Sequence, residues 1–172
     1  VFGLADNALR RGDHGNVREL MERASDADLD QIRRADMLGH SNLHNARFEE
    51  AAAMFRLAFD HARRVHAPLW EARAIRGLAL ALMWFDPART LRILPQAREL
   101  NQTVGELIGI AHCDLAESMA CALLGEMASA DELLDAAVRR YDELGAVGEL
   151  VPTEAVQVLF HAASGHTGEA VA

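Results

Sequence analysis

The stretch "LGHSNLHNARFEEAAAMF", Leu38 to Phe55, admits two readings. Read for chemistry, it sets His40 and His44 four residues apart and follows them with Glu49 and Glu50, half of a metal site. Read for architecture, it is a Leu-Gly pair, a polar break, then Ala and Phe at helical spacing. From Phe48 onward Ala51, Ala52, Phe55, Phe59 and Ala62 fall on one side of a 3.6-residue helix. Glu49, Glu50, Arg56, Asp60 and Arg63 fall on the other. The apolar stripe turns the two glutamates to solvent, where they suit the positive N-terminal end of a helix. The architectural reading therefore has more support within the stretch itself.

The same punctuation recurs along the chain. Breaks rich in Gly, Pro, Asn, Asp and Ser fall at "RRGDHG", "ERASDAD", "LHNAR", "VHAP", "FDP", "NQTVG", "LLGEMAS", "LGAVGELVP" and "ASGHTG". Between them apolar residues repeat at helical, not alternating, intervals. The spacing predicts helices paired as 2–11 with 15–24, 27–44 with 47–65, 68–84 with 87–101, 105–124 with 128–144, and 150–164 with a partner starting near 168. Asp86 followed by Pro87 is an N-cap with proline in the first turn. Pro95 predicts a kink in that helix or a late start to it.

The second helix of each pair carries one signature: Val17, Met21, Ala24; Ala51, Phe55, Ala58; Thr90, Leu94, Ala97; Ala130, Leu134, Ala137. A short residue is followed four later by a large apolar one and three after that by Ala. The alanines let neighbouring helices approach and the large residue fills the gap between them. A fifth unit begins at Ala170. Recurrence at about 34 to 40 residues is the mark of a helical repeat protein.

The pattern resembles the tetratricopeptide repeat (TPR). Leu38-Gly39 matches the Leu-Gly of its first helix, Phe48 the turn aromatic, and Ala51, Phe55 and Ala58 its second-helix signature. "LLGEMASADELL" repeats the Leu-Gly turn. Ala35 and Asn42 stand where an aromatic pair is usual, and Leu78 follows Gly77 in inverted order. The resemblance implies an all-α, right-handed superhelix of about five TPR-like repeats in one domain, 1–172. Long repeats rich in Arg and Ala are also similar to those of large bacterial transcription regulators of the LuxR-type, maltose-regulator and antibiotic-pathway classes. That likeness implies flanking ATPase, activator or helix-turn-helix modules. The chain opens on Val1 and ends within what reads as a new helix, so a piece of a longer polypeptide is expected.

In such a superhelix first helices line the concave surface. With Leu38 and Gly39 packed inward, the residues beside them face the groove: Arg33, Asp36, His40, Leu43 and His44. The next unit offers Ala72, Ile75, Ala79, Leu82 and Met83, a groove polar at one end and apolar towards the middle. Burial against adjacent repeats is an equal alternative for this second set. A protein or peptide partner, or a small effector, suits the surface. Trp70 and Trp84 have the core as their default, though an exposed Trp84 becomes an anchor candidate.

Composition narrows the partners. Hydrophobic residues make up 51% of the 172 and charged residues 25%, as in a folded globular chain. The longest apolar run, Leu78 to Phe85, cannot span a bilayer. Net charge is −9, all 17 basic residues are Arg, and residues 101–172 hold 2 Arg against 12 Asp or Glu. An acidic half repels phosphate backbones, so no direct nucleic-acid contact and no membrane contact are expected. Cys113 and Cys121 lie too far apart on one helix to bridge, which suggests small buried residues in a reducing, cytoplasmic compartment.

The chemistry of known motifs is sparse. Without lysine no Walker loop is possible, and no Gly-x-Gly-x-x-Gly, Gly-x-Ser-x-Gly or His-Glu-x-x-His occurs. Asp36, His40 and His44 share a helical face that could hold a metal, the sole support for a helical metalloenzyme. No cofactor and no catalytic residue is expected. The expected role is binding, as the sensory or interaction segment of a bacterial transcription regulator. A free-standing adaptor is the alternative, and an exposed terminal repeat makes a homodimer plausible.

Overall fold

A computed structural model describes residues 2–23, 27–146 and 148. Among them the chain is all helix: α1 (Phe2–Arg10), α2 (His14–Glu22), α3 (Asp28–His44), α4 (Phe48–Arg64), α5 (Pro68–Leu82), α6 (Pro87–Val104), α7 (Leu107–Leu123) and α8 (Met127–Glu143). These match the first four expected pairs. The expected pair from 150 onward, and Ala24, lie outside the described residues. The chain divides into two compact units, Val1–Phe85 and Asp86–Ala172.

The turns explain why helices stop where they do. Gly12, Ala46, His66, Gly105, Gly125 and Gly145 all have positive φ, between 54° and 85°. Each sits where a helix ends, and main-chain bonds close the turn around it. At the end of α3, for example, Arg47 N–H donates to Asn42 O (2.9 Å) and Ala46 N–H to Leu43 O (3.0 Å). These bonds satisfy carbonyls that a helix end would otherwise leave orphaned. Helix starts are marked by Asp13, which accepts from Asn16 N–H, and Asp86, which accepts from Arg89 N–H. With Pro87 in its first turn, α6 begins on time and runs through Pro95.

In the first unit the core lies between first and second helices. On α4, Ala51, Ala52, Phe55, Ala58, Phe59 and Ala62 are buried while Glu49, Glu50, Arg56 and Asp60 are exposed, the stripe expected from sequence. Phe55 is completely buried. A Cβ added to Gly39 would lie 2.7 Å from its ring, and one added to Gly77 2.5 Å. Two glycines on two first helices thus make room for one phenylalanine, worth about 2–3 kcal/mol in apolar burial.

The described members of the second-helix signature are all buried: Val17, Met21, Ala51, Phe55, Ala58, Thr90, Leu94, Ala97, Ala130, Leu134 and Ala137. Helices α7 and α8 begin and end 79 residues after α3 and α4. This registration places Ser118 where Gly39 stands, and Ser118 is buried with its hydroxyl donating to Ala130 O at 2.7 Å. Leu124-Gly125 is therefore not the counterpart of Leu38-Gly39. Gly125 is a left-handed turn residue, φ 85°, with no neighbour crowding it, whereas Gly39 is mid-helix under a ring.

Candidate functional site

The face shared by α3 and α5 in the first unit carries the polar residues expected of a groove. Asp36, on the third turn of α3, is only 3% exposed. Arg73 of α5 approaches it, Nη2 to Oδ2 3.9 Å, and His40 lies one turn on, Nε2 to Oδ1 3.8 Å. Both are ion-pair distances rather than hydrogen bonds, and among the described residues Asp36 Oδ1 and Arg73 Nε meet no hydrogen-bond partner. Arg73 instead lies over the Trp70 ring at 4.9 Å. Arg33 sits 5.8 Å from the same ring and 5.6 Å from Phe2. These contacts place a cation–π cluster beside a buried carboxylate.

His40 packs edge-on to Phe55 at 5.0 Å. Its side chain is 29% exposed, yet burial lowers its pKa. Asp36 opposes that shift, while Arg76, Arg73 and His44 add to it. His40 is consequently a neutral ring at pH 7. His44 also has a lowered pKa, through burial and then through His14, whose ring meets it edge-on at 5.8 Å. His44 thus turns to α2 while His40 turns to α4. Among the described residues no group of three or more His, Cys, Asp or Glu is placed to hold a metal ion.

The apolar half of the expected groove is placed differently. Ile75, Ala79, Leu82 and Met83 are buried, as is Ala72. α5 packs against both α3 and α4, so most of its circumference is covered. Burial, the alternative reading for this set, describes them; they line no open surface. Leu43 is half-buried on α3, and Arg33 likewise. Trp70 is half-buried under its arginines, and Trp84 is 45% exposed, stacked on Phe48 at 5.1 Å with 18° between planes. Arg73 and Arg76 escaped sequence reasoning because α5 was read for its apolar residues alone.

The second unit holds a cluster that spacing gave no means of finding. Asp114 of α7, 5% exposed, accepts from Arg98 of α6 at 2.8 Å. Arg98 also donates to Glu117 at 2.6 Å. Arg140 of α8 places Nε 3.1 Å from Asp114 Oδ2, close enough to pair but without hydrogen-bond alignment. Burial alone would lower the Arg98 pKa, yet its bonds to Glu117 and Asp114 raise it on balance. A single buried aspartate so ties three helices. Both cysteines are buried and in no disulfide among the described residues, and burial pushes the Cys121 thiol pKa up, away from reactivity.

No family model matches the chain, and no curated protein matches it. Solved structures do. One is a Rap protein in complex with competence and sporulation factor: TM-score 0.83, 14% identity, covering 97% of this chain and 49% of that one. Another is the apo form of RapI: TM-score 0.69, 13% identity, covering 99% of this chain and 65% of that one. The chain therefore spans about half to two-thirds of the length of these proteins. The likeness shows the fold, all-α and TPR-like superhelical, as the repeat period implied. No helix among the described residues is long and apolar enough to cross a membrane.

Proposed function

We propose that the chain is a non-enzymatic recognition module and that the α3/α5 face binds a protein or peptide. One observation carries this: the half-buried Trp70 with Arg33 and Arg73 over it, set against the buried Asp36. An aromatic platform with guanidinium groups and a fixed carboxylate offers stacking, donors and an acceptor on one first-helix surface. The solved complex of a Rap protein with competence and sporulation factor supports a binding role for this fold. We further propose that the segment serves a bacterial transcription regulator, passing partner state to modules outside these residues. A free-standing adaptor is the second reading, favoured if the coding sequence adds no such module.

Peptides selected against the whole chain from a random display library test the binding face. Arg33→Ala with Arg73→Ala should abolish capture of the selected peptides, while exposed Arg56→Ala should not. Equal capture by both variants would remove this face from the mechanism. The coding sequence beyond these 172 residues decides between regulator and adaptor.

A further inference from the structure

At the other end of α3, a second feature stands apart from the α3/α5 face. A cleft of about 290 Å³ lies between the start of α2 and the end of α3, lined by His14, Gly15, Arg18, Ser41, Asn45 and Arg47. Among the described residues two guanidinium groups and an imidazole line it, and no carboxylate does. The nearest acid in sequence, Asp13, is exposed and accepts from Asn16 N–H. The floor is built from donors with fixed partners. Ser41 is buried, its Oγ 3.2 Å from His14 Nδ1. Asn45 Nδ2 donates to Ser41 O at 2.8 Å, which pins the turn that presents Arg47. Gly15 adds no side chain; a Cβ there would meet only Asp13 Oδ1, at 4.0 Å.

Like charges gathered around an open cleft repel one another and gain when an anion enters. Arginine forks and a hydroxyl satisfy a tetrahedral oxyanion more fully than a planar carboxylate, which offers fewer acceptor oxygens. His44, edge-on to His14, adds a second imidazole behind the first, and an anion in the cleft would favour its protonation. We propose that this cleft binds a phosphoryl group, held by Arg18, Arg47 and His14. The occupant is either free phosphate or a phosphorylated small molecule, and the volume leaves space for the group that carries the phosphoryl.

Titration of the whole chain with inorganic phosphate at constant ionic strength, followed through the His14 imidazole NMR signal, tests this. Saturable movement is expected, with Arg18→Gln and Arg47→Gln each weakening affinity about tenfold. Both arginines are exposed, so both variants should keep the parental melting temperature. O-phosphoserine in a parallel arm distinguishes sources: tighter binding than phosphate assigns a phosphorylated ligand, and equal binding assigns the free ion. Acetate acting as well as phosphate, a response that never saturates, or variants that bind like the parent would each overturn the proposal. These outcomes are independent of peptide capture by the α3/α5 face.

Discussion

Gly39 lies against the ring of Phe55 so closely that a methyl group at Gly39 would stand 2.7 Å from Cε1. The ring has little room to retreat, because Gly77 flanks it so closely that a Cβ there would also clash with it, at 2.5 Å. Gly39→Ala should therefore cost about 1–3 kcal/mol, as overpacking does in a closed core. Urea unfolding measures it. Adding Phe55→Leu to Gly39→Ala should recover part of the loss, since the shorter side chain frees the space. Equal stability of Gly39→Ala and parent would mean that the core is looser than this geometry.

Ala46 and His66 hold positive φ, 56° and 54°, without being glycine. A Cβ in the left-handed region costs about 1 kcal/mol that glycine avoids. Ala46→Gly should raise the melting temperature by a few degrees, and Gly125→Ala, at φ 85°, should lower it. Thermal scans followed by circular dichroism decide; a fall on Ala46→Gly would contradict the turn geometry.

Burial holds the His40 and His44 pKa values below the ordinary 6.5. The unfolded chain then binds protons more readily than the folded one, so this stability is fully present above pH 6.5 and is lost as pH falls through the window below it. The midpoint in urea should decline from pH 7 to pH 5.5. His40→Gln, though less stable throughout because it leaves Phe55, should show a flatter decline over that range. An unchanged slope would locate the effect in other groups.

Asp114 is buried between Arg98 and Arg140. Arg98→Met should cost on the order of 2–4 kcal/mol, below the limit for a fully buried pair because Arg98 is partly exposed. Adding Asp114→Leu should cost less than the two single changes together, since it removes the stranded charge. Strict additivity in a double-mutant cycle would show that the pair is not coupled.

What the sequence made legible was spacing. The positions of Phe55, Leu94 and Leu134 recur with their small neighbours because each must fill the same gap, so their burial follows from their interval. Gly39 and Gly125 were equated by letter, although one yields to a ring and the other to a backbone torsion; only geometry separates them. Ile75 to Met83 were open to two placements because α5 packs against both α3 and α4, and its polar strip at Arg73 and Arg76 is too narrow to orient it by pattern. Arg73 meeting Asp36 and Arg98 meeting Asp114 are contacts between charges on different helices. No interval along the chain encodes such meetings.

Six helix ends among the described residues are closed by main-chain bonds around a single left-handed residue, and at Ala46 and His66 even glycine is dispensed with. Most of such a closure is main chain, with side-chain help such as Asn45 Nδ2 to Ser41 O added at the end of α3. A lineage built on these turns can replace nearly every surface letter, hold its helices in step, and so present new binding faces without re-inventing the frame that carries them.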